Sequence, residues 1–243
     1  MKRRGRILYA IPALALAAAS AAAQLPAGDL RVSAVLASDY RHNGLSQTGD
    51  EISLRAAVDY ERAGGLFTGG YVANVDYWAE RFFARPRELE IGVYGGYQWR
   101  RPNWSTNVQL ARYVYPDIEI SYDYTEARVN LALRDRYFVS LGTSDDYLGL
   151  FGRSTEARAG VVLPLVRQIE LGINAGRFEA TETGYTKYDF WDIGLSRATG
   201  RFALDLRYHD NNYAGASLYG DPGEQEFVLS VAYAIRPRAA DRR

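Results

Sequence analysis

Glu51-Ile52-Ser53-Leu54-Arg55-Ala56-Ala57-Val58-Asp59-Tyr60-Glu61, then Arg62-Ala63-Gly64-Gly65, then Leu66-Phe67-Thr68-Gly69-Gly70-Tyr71-Val72-Ala73-Asn74-Val75-Asp76-Tyr77, is the stretch that decides the fold. In the first segment apolar side chains fall at every second position, with serine, arginine, aspartate and glutamate filling most of the gaps. A period of two belongs to a β-strand. The second segment alternates as well, and the Gly64-Gly65 pair between them tolerates positive φ, so the unit reads as an antiparallel hairpin. Each strand is roughly 11 residues long, twice the common length and about what a tilted strand needs to cross a bilayer.

The same alternation runs outward in both directions. Upstream, Leu30, Val32, Ala34 and Leu36 share one face, followed by a polar loop from Asp39 to Gly49. Downstream, Leu89, Ile91, Val93, Tyr97 and Trp99 alternate with Glu90, Tyr94 and Gln98, and Trp104, Thr106, Val108 and Leu110 with Ser105, Asn107 and Gln109. Between Glu119 and Leu133 the apolar phase changes from Ile120, Tyr122 and Tyr124 to Ala127, Val129 and Leu131, which predicts a β-bulge near Thr125-Glu126. Further strands follow around Tyr137, Ala157, Ile169, Trp191, Phe202 and Phe227. Loops of roughly 7 to 15 residues alternate with turns of roughly 1 to 4, the asymmetry of outer-membrane barrels. The predicted fold is all-β: an antiparallel up-and-down transmembrane β-barrel of about twelve strands, within a range of roughly 10 to 14.

Composition narrows the class. Lys2, Arg3, Arg4 and Arg6 precede an apolar run that ends in Ala21-Ala22-Ala23, which predicts a secretory signal peptide over residues 1–23, a barrel over 24–235 and a tail over 236–243. Without those four basic residues the chain keeps 25 basic against 29 acidic side chains, an unfavourable balance for nucleic acid. Cysteine is absent, so no disulfide supports the fold. No run beyond the leader could form a membrane-spanning helix, so an exported chain that enters a bilayer must close into a barrel, which leaves no backbone group unpaired in lipid.

If the apolar phase faces lipid, the lumen receives Arg55, Asp59, Asp76, Glu90, Arg128, Glu156, Arg158, Glu170, Asp192, Asp205 and Arg207. In a soluble sandwich the same charges would lie on solvated outer faces. Eight strands enclose a filled interior and sixteen an aqueous channel, so twelve should leave a narrow passage or a lumen closed by paired charges and an inserted loop. Tyr60, Tyr77, Trp78, Trp99, Trp104, Tyr113, Tyr115, Tyr137 and Trp191 lie near strand ends, where interfacial girdles sit. Arg41, Arg81, Arg85, Arg87, Arg153 and Lys187 fall in expected external loops, where they could meet lipopolysaccharide phosphates.

The two histidines, His42 with Asp39 and Ser46 nearby and His209 before Asp210 with Ser217 and Asp221 beyond, permit an outer-membrane hydrolase on paper. No ligand spacing calls for a metal or another cofactor, with His209-Asp210 and Asp145-Asp146 the nearest approaches. Three functions stay open. The first is a narrow channel for a small polar solute, the second a non-conducting barrel that binds lipopolysaccharide or an envelope partner through its loops, and the third a hydrolase.

Ser38-Asp39-Tyr40-Arg41 followed by Gly44-Leu45-Ser46-Gln47 resembles the opening signature of a proteobacterial family of exported proteins of unknown function, Gcw_chp. The likeness continues through Gly70-Tyr71-Val72-Ala73-Asn74-Val75-Asp76, Glu90 with Tyr94-Gly95-Gly96-Tyr97, Tyr113-Val114-Tyr115-Pro116 and Tyr122-Asp123-Tyr124-Thr125-Glu126. The family usually has an Arg-Gly step where this chain has Asn43-Gly44. The resemblance implies an outer-membrane, barrel-like protein, with Ser38, Asp39, Tyr40, Arg41, Gly44 and Ser46 as an external-loop motif, and it brings no established activity. Many such barrels end in an aromatic residue, whereas here Arg236 to Arg243 follow Ile235.

Overall fold

The computed structural model describes residues 29–76, 88–116, 121–149, 151–166, 168–181, 186–213 and 225–235. The proposed leader and tail lie outside these residues, as do Tyr77, Trp78, Arg81, Arg85 and Arg87. The strands are β1 (Asp29–Ala37), β2 (Arg41–His42), β3 (Leu45–Ser46), β4 (Ser53–Glu61), β5 (Leu66–Val75), β6 (Glu88–Arg100) and β7 (Trp104–Val114). They continue with β8 (Tyr124–Leu133), β9 (Tyr137–Ser144), β10 (Ser154–Pro164), β11 (Ile169–Ala180), β12 (Thr186–Thr199), β13 (Phe202–Asn211) and β14 (Glu226–Ile235). β2 and β3 pair only with each other, the other twelve strands pair antiparallel with their neighbours in the sheet, and β1 pairs with β14, closing a twelve-stranded barrel that leaves no open edge.

The outward face is the apolar one, as alternation predicts. Leu54, Val58, Val93, Leu110, Leu131, Leu141, Leu195, Leu206 and Leu229 are all exposed on the outside, while Arg55, Glu90, Arg128, Glu156 and Asp205 are buried inside. A wall of this kind is stable only in a solvent of low polarity. Tyr60, Trp99, Trp104, Tyr137 and Trp191 are also exposed, as girdle residues should be.

Two expectations need correction. The register from Tyr113↔Tyr124 to Trp104↔Leu133 is unbroken, so β8 contains no bulge. Its inward face simply opens with an aromatic residue, Tyr124, ahead of Glu126 and Arg128. In β5 the inward phase is Tyr71, Ala73 and Val75, all buried, with Val72 outside. Both departures, together with Tyr113 and Tyr115 lying inside rather than in a girdle, have one cause: the half of the barrel nearest the long loops is packed with aromatic rings.

Those rings form an arc. Tyr113 stacks on Tyr124 at 4.6 Å between centroids, Tyr124 meets Tyr147 at 5.0 Å, Tyr147 meets Phe178 at 4.9 Å, and Phe178 meets Tyr188 at 5.5 Å. Such pairs stabilise by about 0.5–1.5 kcal/mol each beyond the area they bury.

Candidate functional site

The loop between β1 and β4 folds into the lumen. Its residues Arg41-His42-Asn43-Gly44-Leu45-Ser46 form a small hairpin whose turn, Asn43-Gly44, has φ of 52° and 81°. Positive φ at both central residues is what a two-residue type I′ turn requires, and Asn-Gly is the pair that adopts it most readily. The hairpin does not lie on the surface. Asp39, Tyr40, Arg41, Asn43, Ser46 and Thr48 are all buried, so the motif expected in an external loop is folded into the barrel, with only Ser38 exposed at its start.

Three sectors of the wall hold it. At the tip, the Asn43 amide nitrogen donates to Glu156 at 3.1 Å and Arg158 donates to the Asn43 amide oxygen at 2.5 Å. Both partners lie on β10, which is five strands from β1 around the closed sheet and six from β4, so the hairpin spans the lumen to the far wall. On the near side, Arg41 Nη2 donates to Glu226 of β14 at 2.9 Å. On the third side, the Tyr40 hydroxyl donates to Glu90 of β6 at 2.9 Å. The loop is also tied by backbone, with the Asp76 amide donating to the Gln47 carbonyl at 2.7 Å.

Within the loop, Asp39 Oδ1 accepts from the Ser46 and Thr48 hydroxyls at 2.7 Å each, and Arg41 Nε donates to Asp39 Oδ2 at 2.7 Å. Asp39, Asp50 and Glu226 bring carboxylate oxygens within 4.8 Å of one another, a spacing that suits a cation. The Arg41 guanidinium takes that place, pairing with all three.

Glu90 is held by hydroxyls. Tyr71 donates to its Oε1 at 2.5 Å, and Tyr115 to its Oε2 at 2.8 Å, beside the Tyr40 contact. Burial and the Glu90 charge push the Tyr40 hydroxyl well above the usual phenol value, so it stays a donor. Burial likewise lowers His42 from its ordinary value against the pull of Glu156 and Glu126, favouring the neutral ring.

Below and beside the hairpin the wall is laced with ion pairs. Arg128 on β8 donates to Glu126 at 2.8 Å and reaches across β9 to Glu156 on β10 at 2.9 Å. It can do so because the residue between them in register is Gly142, where a Cβ would stand 2.8 Å from Arg128 Nη2. Arg207 binds Asp192 and Asp205 in the same manner, lying against Gly172. Glycines inside these strands are therefore seats for long side chains, a use that strand propensity does not reveal. Towards the short turns, Arg31 pairs with Asp59 at 3.1 Å, Tyr94 also donates to Asp59, and Arg100 pairs with Glu61.

Of the residues read as lumen-lining, Arg55, Asp59, Glu90, Arg128, Glu156, Arg158, Asp192, Asp205 and Arg207 lie on the inward face, and the half-buried Glu170 is in the inward phase of β11. Asp76 is not among them. It follows the end of β5, in the phase opposite to the inward Tyr71, Ala73 and Val75. Arg31, Glu61, Glu126 and the hairpin itself are lumen residues that strand alternation alone did not single out, although the Asn43-Gly44 pair carried the hairpin signal.

Of the basic loop residues, Arg153 and Lys187 are exposed and pair with Asp145 and Glu179, while Arg41 is buried. The histidines form no Ser-His contact among the described residues. Ser46 is bonded to Asp39, and His42 contacts Asn43. Ser217 and Asp221 lie outside the described residues.

The barrel resembles outer-membrane porins and channels. It matches the NanC porin at TM-score 0.54 and 9% identity, covering 84% of this chain and 98% of that one. It matches an outer-membrane channel from Pseudomonas putida F1 at 0.53 and 11%, covering 88% and 97%. The KdgM porin matches at 0.52 and 10%, covering 84% and 98%. Of OccAB4 from Acinetobacter baumannii the chain spans 57% of the length, at 12% identity, TM-score 0.42 and 83% of this chain. No curated protein matches it in sequence. A family model described as a bacterial protein of unknown function, Gcw_chp, matches residues 23–233.

Proposed function

The chain thus belongs to the Gcw_chp family, whose description names no activity, and from that premise we propose that it is a narrow outer-membrane channel held closed by its own first loop. The observation that carries this reading is the β2–β3 hairpin, bonded through Asn43, Arg41 and Tyr40 to three sectors of the wall. A barrel built only for mechanical support needs no charged insert, since apolar side chains would fill twelve strands with less desolvation. The hairpin carries no rung of the barrel's ladder and is held by side-chain hydrogen bonds and by Tyr40 and Leu45 packed on the ring clusters, so it can leave as a unit while the ladder stays closed. Its departure would uncover a passage lined by Glu90, Arg128, Glu156, Asp192 and Arg207, of mixed sign and suited to a small polar solute rather than to strong ion selection.

The test is planar-bilayer conductance of refolded protein with and without residues 39–50, folding being checked by the mobility shift on heating in a detergent gel. The intact barrel should be closed most of the time and the deletion should carry steady unitary currents. A folded deletion variant that stays silent overturns the channel. A barrel that contacts lipopolysaccharide through Arg153, Lys187 and its other loops, without conducting, then becomes the better account.

A further inference from the structure

We propose that the tip of the hairpin occupies the seat of a solute, and that this solute is a short uncharged peptide or another small molecule that joins a carboxamide to an apolar group. The inference rests on the reading that the hairpin leaves the lumen, and it names what takes its place. Asn43 is only 2% exposed, and the polar groups at its side chain include two of the far wall. On β10, Glu156 accepts from the Asn43 amide nitrogen at 3.1 Å and Arg158 donates to the amide oxygen at 2.5 Å. On β13, the Asn211 side-chain nitrogen donates to the Gly44 carbonyl at 3.0 Å.

The wall therefore contacts both ends of one carboxamide and the next peptide carbonyl. An apolar contact adjoins them, where Leu45 packs on the Phe178, Tyr188 and Phe190 rings. The fit at Gly44 is close: a Cβ there would stand 3.2 Å from the Cβ atoms of Phe190 and Asn211.

Withdrawal of the tip takes its partners from groups that lie inside the barrel. Glu156 keeps Arg128, but Arg158 and Asn211 lose the acceptors that the tip supplied. Water could meet those donors, yet it would leave the neighbouring rings wet. A solute with a carboxamide beside an apolar group answers both needs, in the volume that the tip vacates. Net charge of either sign is disfavoured, since a carboxylate in place of the amide nitrogen would face Glu156 and an ammonium in place of the oxygen would face Arg158.

The test uses full-length refolded protein in detergent carrying a single Leu45→Cys, whose maleimide labelling reports withdrawal. The probe is acetyl-Asn-Gly-Leu-amide. A solute that binds only the withdrawn state raises its population in proportion to concentration, so labelling should speed up by about tenfold at ten times the dissociation constant. An exposed control thiol, Arg101→Cys, should not respond. Replacing the peptide's asparagine by aspartate should weaken the effect at least tenfold, and replacing its leucine by serine a few-fold. Glu156→Gln, whose amide can donate to a carboxylate, should remove most of the aspartate peptide's disadvantage. Maltose and free leucine should have no effect; either one acting as strongly as the peptide overturns the carboxamide assignment. Labelling that proceeds but ignores the peptide overturns the seat while leaving the channel standing. Peptide-driven labelling in a barrel that never conducts supports the seat and removes the channel. If Leu45→Cys does not fold, saturation-transfer NMR on the wild-type chain decides: the same order among the peptides supports the seat, and equal signals from all of them refute it.

Discussion

Removing the Arg41 side chain should loosen the hairpin without opening the barrel. Arg41 is nearly inaccessible and pairs with Asp39, which is fully buried, at 2.7 Å. Its bonds to Asp50 and Glu226 go to carboxylates that are a third or more exposed, so they contribute little. Deleting one partner of a buried pair costs about 3–5 kcal/mol, chiefly because the other charge is left without its counter-ion. In Arg41→Ala the Asp39 carboxylate keeps the Ser46 and Thr48 hydroxyls, which places the effect near the lower bound. About 3 kcal/mol is a factor of ~10² in the ratio of withdrawn to inserted hairpin. Because the chain has no cysteine, a single Leu45→Cys beneath the Phe178–Tyr188–Phe190 cluster can report withdrawal through its rate of maleimide labelling. In that background Arg41→Ala should speed labelling by about two orders of magnitude. Arg153→Ala, which breaks an exposed pair with Asp145, should leave it unchanged. Acceleration below about threefold in a folded barrel would refute the view that buried charge pairing holds the loop.

Three further outcomes follow from the same geometry. Glu90→Gln replaces one acceptor oxygen in a site that receives three tyrosine hydroxyls, and should lower the stability measured by urea unfolding in lipid vesicles by about 2–3 kcal/mol; a change under about 0.5 kcal/mol would contradict it. His42 is held below its ordinary value when the hairpin is inserted, so at neutral pH both states are uncharged and insertion is at full strength. As pH falls below about 6.5 the withdrawn loop takes up a proton that the inserted loop resists, and labelling at Leu45→Cys, taken relative to a freely exposed thiol at the same pH to cancel the loss of thiolate, should rise by up to about tenfold per pH unit, an increase His42→Gln abolishes. Leu141→Arg, on the outward face of β9, should destabilise the barrel in vesicles by about 2–4 kcal/mol, and neutrality there would mean that this face does not meet lipid.

Strand alternation carried the barrel because it is a local property: each residue's face depends only on whether its position is odd or even, and twelve successive segments repeat the pattern. That is why Leu54 and Val58 face out and Arg55 and Glu156 face in as read, and why the girdle positions Trp99, Trp104 and Trp191 are outside. Alternation misled where side chains pack against the insert, since Tyr71, Ala73, Val75, Tyr113 and Tyr124 are apolar or aromatic and yet face inward. There the rule that apolar faces meet lipid competes with a second apolar environment inside the barrel.

From sequence alone, the chain's order of strands, its lipid-facing surface and most of its lumen charges were determined, because each follows from hydrophobic periodicity and turn chemistry within a few residues. Tertiary structure decided which charges meet. Arg128 reaches Glu156 across Gly142, Arg41 reaches Glu226 over 185 positions, and Arg55 lies over the Tyr71 ring. It also decided that the Asn43-Gly44 hairpin turns inward, since a type I′ turn specifies a local bend and carries no information about the distant wall of β10 that Asn43 will touch. Contacts of that kind exist only after the sheet has closed, when residues far apart in the chain face each other across a lumen narrow enough for one loop to span.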